Sequence, residues 1–155
     1  MLEVLLPFDG SPAALHAVRC VARDRGLAAM RVRLVNVQRV IVDAEMRHAQ
    51  RSLVRFHRNR GEALLHPARA ILEGFGVEHR VEVVFGPVVQ AIVRAAEERG
   101  CDLVVMGTRN RPPWLELLTR SVSRRVAALT RVPVVRIALP RGSARRLPRV
   151  AQASA

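Results

Sequence analysis

Five short apolar runs divide the chain, at residues 2–7, 32–37, 77–84, 103–106 and 133–139. Most of them are continuous rather than alternating, as in strands covered on both faces, and helical patterns lie between the first four. The first helix follows Asp9-Gly10-Ser11-Pro12, with Ser11 as its N-cap and Pro12 at the position where a missing N–H costs nothing. Ala14, Val18 and Val21 give that helix one apolar face, and Gly26 supplies a stop. After Gly86-Pro87, Val89, Ile92, Val93 and Ala96 recur at helical spacing up to Gly100. A last helix is predicted from about Arg120 to Thr130, ahead of Pro133 and the closing strand. The pattern as a whole predicts an α/β fold, a doubly wound open parallel sheet with helices on both faces.

One stretch resists this scheme. Residues 43–74 are long for one helix and contain Gly61 and Pro67, which predicts two helical pieces or one helix kinked near those residues. In its first half Met46, Ala49, Leu53 and Phe56 share a face, while Arg47, Arg51, Arg55 and Arg58 fall within about 80° on the opposite side. Beyond Pro140 the apolar periodicity ends, so the expected organisation is a domain over 1–140 and a basic, disordered tail over 141–155.

The 155 residues suffice for one domain with a core of its own. No apolar run approaches the roughly 20 residues of a bilayer span, and the N-terminus lacks the basic and small-residue features of a signal peptide. Cys20 and Cys101 form no C-x-x-C pair, as expected of small buried hydrophobes in the cytoplasm. The net charge is +13 and every basic residue is arginine. Such a field attracts anions in general, yet four Phe, one Trp and no Tyr make a poor base-stacking platform, so a nucleic-acid or anionic-surface binder ranks last. Catalytic patterns are thin. His48, His57 and His66 are nine apart, on alternate sides of a helix, and cannot share a metal. A Walker loop is excluded by the lack of lysine.

Two stretches lie where an open parallel sheet binds ligands, beyond the carboxyl ends of its strands. Pro7-Phe8-Asp9-Gly10-Ser11 follows strand one, and its carboxylate can accept a hydrogen bond from a ribose or base. Met106-Gly107-Thr108-Arg109-Asn110 ends strand four, and Arg120-Ser121-Val122-Ser123 opens the helix after it. A glycine at a strand end and a hydroxyl at a helix start are suited to holding an anion.

Taken together, Leu-Val-Val-Met-Gly-Thr-Arg at 103–109, Ser-Val-Ser at 121–123 and Arg131-Val132-Pro133-Val134-Val135 resemble the universal stress protein family. The resemblance covers about 1–139. It implies a five-stranded parallel sheet of order 3-2-1-4-5, in the manner of the adenine nucleotide alpha hydrolases. It also implies a homodimer through the last strand, from Val134 to Leu139, and a stress-response role without turnover. ATP enters as a cofactor candidate only through this resemblance, and Mg only with ATP; the alternative reading is a regulatory protein that binds ATP or another adenine nucleotide and at most hydrolyses it very slowly. Carried over by position, Pro7, Asp9 and Val37 would surround the base and ribose. Met106, Gly107, Asn110, Arg120, Ser121 and Val122 would surround the phosphates. Read as plain structure, Val37 and Met106 are strand-end core residues, Asp9 and Ser121 helix caps and Gly107 a turn glycine. The family's phosphate signature is kept at Gly107 and Ser121 and broken at Asn110 and Arg120, both glycines in ATP-binding members. The chain thus resembles the class with a degenerate ATP-binding motif. Arg120 occupies the room left for phosphate, although a guanidinium can itself hold one in bidentate fashion.

Overall fold

The computed structural model describes residues 1–24, 29–39, 47–109 and 121–140, with the side chains of 47–51 outside the description. Asn110, Arg120, Gly26, Met46 and the 141–155 tail therefore lie outside the described residues. The elements run β1 (Leu2–Pro7), α1 (Pro12–Arg23), β2 (Met30–Gln38), α2 (Arg47–Gly74), β3 (Glu78–Phe85), α3 (Val88–Glu98), β4 (Leu103–Thr108), α4 (Val122–Leu129) and β5 (Val134–Ala138). All five strands are parallel and lie in the order β3-β2-β1-β4-β5. The expected architecture and strand order are both observed.

Two apolar clusters sandwich the sheet. Val4, Leu6, Val32 and Leu34 meet Ala17 and Val18 of α1 and Leu65, Ala68 and Leu72 of α2 on one face. Leu5, Val35 and Val104 meet Ile92 and Ala95 of α3 and Val126 of α4 on the other. Helix α1 starts as its sequence dictates. Ser11 Oγ accepts the Ala14 N–H at 3.2 Å, with Pro12 beginning the helix.

Helix α2 departs from expectation. It is one 28-residue helix through both Gly61 and Pro67. Buried contacts hold it on each side of the proline, with Leu65 before it and Ala68 and Leu72 after. Gly61 is a close-packing point: a Cβ there would lie 2.8 Å from both methyl carbons of Val83 and 3.0 Å from Asn36 Oδ1. The expected inward face of the first half is also corrected, because Leu53 and Phe56 are exposed. Geometry explains this. A helix of that length extends about 42 Å, whereas an eight-residue strand spans about 26 Å. Gly61 already lies against the last third of β2 and β3, so everything before it overhangs the carboxyl edge of the sheet. Of the arginine stripe, Arg55 and Arg58 are exposed, and the Arg58 guanidinium sits 6.0 Å from the ring centre of Phe85.

β2 is longer than its apolar run because it includes Arg31 and Arg33. Both arginines are half-buried on the α3 side, where Glu3 of β1 accepts from each at 3.0 and 2.9 Å. Arg31 also pairs with Glu78 of β3, and Arg33 with Glu82 at 3.2 Å. Arg99 reaches Glu82 at 3.2 Å as well. This ladder of charge lies across three strands, and the hydrogen bond that Arg31 donates to Glu78 in particular holds the Arg31 pKa above its ordinary value. Cys20 and Cys101 are unpaired, and burial pushes the Cys101 thiol pKa up. Among the described residues, no helix is long and apolar enough to cross a membrane.

Candidate functional site

The winding of the sheet reverses between β1 and β4, whose carboxyl ends diverge to either side. A cleft of about 480 Å³ opens there, where doubly wound sheets characteristically bind ligands. Its floor comes from β1 and the loop after it (Pro7, Phe8, Asp9), β2 (Val35, Asn36, Val37) and β4 with the residue that follows it (Met106, Gly107, Thr108, Arg109). Val88 and Ile92 of α3 form an apolar wall, and Ser121, Val122 and Ser123 bring the start of α4 to the opposite rim.

Seven of the nine residues singled out from the sequence are therefore brought together: Pro7, Asp9, Val37, Met106, Gly107, Ser121 and Val122. Asn110 and Arg120 lie outside the described residues. Local roles differ from those expected. Asp9 is not the helix cap, since Ser11 fills that place. Its Oδ1 instead accepts the Ser11 N–H at 2.9 Å, which fixes the turn and leaves the exposed carboxylate at the cleft mouth. Ser121 does not cap α4 with its side chain either; its hydroxyl meets Ser123 Oγ at 2.8 Å.

Gly107 is not a turn residue, because it lies within β4. A Cβ at this position would overlap the Ala13 carbonyl and come within 2.7 Å of Ala14 N. The glycine lets the strand pass directly beneath the first turn of α1, placing Asp9 and β4 on one cleft.

Other residues of the site were not apparent from the sequence. Asn36 is buried, and its Nδ2 donates to the Phe8 carbonyl at 2.8 Å. Its Oδ1 accepts from Gln38 Nε2 at 2.5 Å, and Gln38 Oε1 lies 3.4 Å from His57 Nδ1. This buried polar relay ties the β1 loop to β2 and α2. Arg109 and Arg136 also line the cleft. A lone charge inside an otherwise apolar closing strand was the available signal for Arg136, but its target depends on the register of β5 against β4.

The universal stress protein family matches residues 1–137. The chain belongs to that family. A universal stress protein of Methanocaldococcus jannaschii is 26% identical over 143 residues, covering 90% of this chain and 83% of that protein. A crystal structure of a family member from Burkholderia pseudomallei is 28% identical, with a TM-score of 0.65 over 87% of this chain and 94% of that one. An Arabidopsis thaliana universal stress protein family protein, solved with AMP bound, superposes with a TM-score of 0.69 at 16% identity. It covers 91% of this chain and 94% of its own.

Proposed function

We propose that this universal stress protein is a cytoplasmic stress-response homodimer whose cleft binds an adenine nucleotide as a regulatory ligand, without turning it over. The observation that carries the reading is the cleft itself. It unites the base-and-ribose set Pro7, Asp9 and Val37 with the phosphate set Met106, Gly107, Ser121 and Val122 at the switch point. The AMP-bound relative of the same fold supports the ligand class. The reading without turnover is supported by the chemistry of the described wall. It contains no histidine or cysteine, and its carboxylate, Asp9, is engaged as a turn acceptor. Asn110 and Arg120 in place of signature glycines point the same way. The test is mass spectrometry of the purified protein for co-purified nucleotide, followed by calorimetric titration with AMP and ATP. One nucleotide bound per chain and recovered unchanged is the expected result. No binding at millimolar nucleotide would overturn the reading.

The homodimer is proposed to form along β5, which among the described residues pairs only with β4. The Val104 N–H donates to the Pro133 carbonyl, and the Leu139 N–H to the Thr108 carbonyl. Backbone groups of odd-numbered residues therefore face β4, and those of Val134, Arg136 and Ala138 face the free edge. Val135, 45% exposed, adds apolar surface. A bare edge of this kind invites a second strand. Ala138→Pro deletes an outward N–H while sparing the bonds to β4, so it should convert the dimer to a folded monomer by light scattering. A wild-type monomer, or a variant that stays dimeric, would refute β5 as the interface.

A further inference from the structure

The cleft carries positive charge on two residues that are not among the signature's glycine or hydroxyl positions. Arg109 follows the end of β4, and Arg136 sits in β5 in register with the buried Met106. Val134, two residues earlier, packs into the cluster made by α3 and α4, whereas Ile137 packs on the opposite face. Side chains alternate along a strand, so Arg136 stands on the α3 and α4 side, where the cleft opens. Its backbone faces the edge while its side chain rises from the sheet, so edge pairing does not remove it from the site.

Four other described arginines are neutralised by an ion pair. Arg31, Arg33, Arg69 and Arg99 each hold a glutamate. Arg109 and Arg136 have no ion pair among the described residues, and both line the same cleft. The acidic side chain on the described wall is Asp9, which follows β1, two strand positions from Arg136. Two uncompensated guanidinium groups, one just after β4 and one on the adjoining β5, form a site for a dianion.

We infer that Arg109 and Arg136 clamp the phosphate of a nucleoside monophosphate and make its binding independent of a metal ion. The inference rests on the nucleotide reading of the cleft and narrows it. A phosphate monoester carries about −1.5 to −2 charges at neutral pH, which two guanidinium groups balance. Each can also donate in bidentate fashion to phosphate oxygens. A triphosphate brings more negative charge than two arginines offset, so the monophosphate is the matched ligand. Side chains thus supply donors in a family site where two signature glycines are replaced.

The test is calorimetry in excess EDTA with AMP, adenosine and ATP, on the full chain and the variants R109Q, R136Q and R55Q. AMP should bind the wild type without metal and more tightly than ATP. R109Q and R136Q should each weaken AMP by about 10- to 100-fold, the loss expected for a charge-assisted contact, with adenosine affinity unchanged. R55Q, on the overhang of α2, removes the same charge away from the cleft and should leave AMP affinity as it is. Circular dichroism checks that each variant is folded. The clamp is overturned by AMP binding that ignores R109Q and R136Q, by an equal loss in R55Q, or by binding that requires Mg. If those variants bind AMP and ATP as the wild type does, only the clamp fails. If the wild type binds no nucleotide at all, the proposed function fails with it.

Discussion

Replacing Gly107 with alanine should lower stability by about 3 kcal/mol or more, beyond the usual cost of one extra methyl in a packed core. The reason is the partner of the added atom. A Cβ at 107 meets backbone, the Ala13 carbonyl and the Ala14 nitrogen, rather than a side chain that could rotate away. Helix α1 is not free to lift. Ser11 and Pro12 fix its start, and Ala17, Val18 and Val21 are buried beneath it. At the size of this chain the loss corresponds to a fall in Tm of about 6–12 °C, measurable by calorimetry and by urea unfolding. The same displacement would move the Asp9–Ser11 turn away from β4, so nucleotide binding should fall with stability. A G107A protein as stable as the wild type but unable to bind would assign the glycine to ligand contact instead of packing.

The ease of reading each part of this molecule from its sequence followed the range of the interactions involved. The start of helix α1 was legible to the residue, because Ser11, Pro12 and the Ala14, Val18, Val21 stripe act within about three turns of one another. The strands were legible as apolar runs, most of them continuous, except where β2 pairs Arg31 and Arg33 with Glu3 of β1 and with Glu78 and Glu82 of the more polar β3. Strand order came from the ordered family motifs; no single run contains it. Helix α2 was misread because Gly61 and Pro67 normally break helices, while their tolerance depends on β2 and β3 beneath. Its outer half looked amphipathic, yet the sheet ends before Leu53 and Phe56 can reach it. Within the cleft, Asp9, Gly107 and Ser121 were found by motif. Arg136 was not, since its place beside Met106 is a property of register.

Replacing Asn36 with leucine should cost about 2–4 kcal/mol, although the two side chains are similar in size. Asn36 is 3% exposed and is the centre of the buried relay. It satisfies the Phe8 carbonyl through Nδ2 and the Gln38 amide through Oδ1. Leucine removes both partners at once and leaves two groups in apolar surroundings. Each unmet buried group costs about 1–3 kcal/mol, partly offset here by the apolar contacts that leucine gains. Function should suffer as well, because the Phe8 carbonyl directly precedes Asp9. Releasing it loosens the loop that presents the carboxylate at the cleft mouth. Urea unfolding of N36L, Q38L and the double variant N36L/Q38L separates the contributions. If the relay is a unit, the double variant should be less destabilised than the sum of the singles by about 0.5–3 kcal/mol. A cost below about 0.5 kcal/mol for N36L, the range of neutral surface changes, would mean that cleft solvent satisfies the Phe8 carbonyl. The loop carrying Asp9 would then be held by Ser11, the start of α1 and the bond from the Phe8 N–H to the Val35 carbonyl.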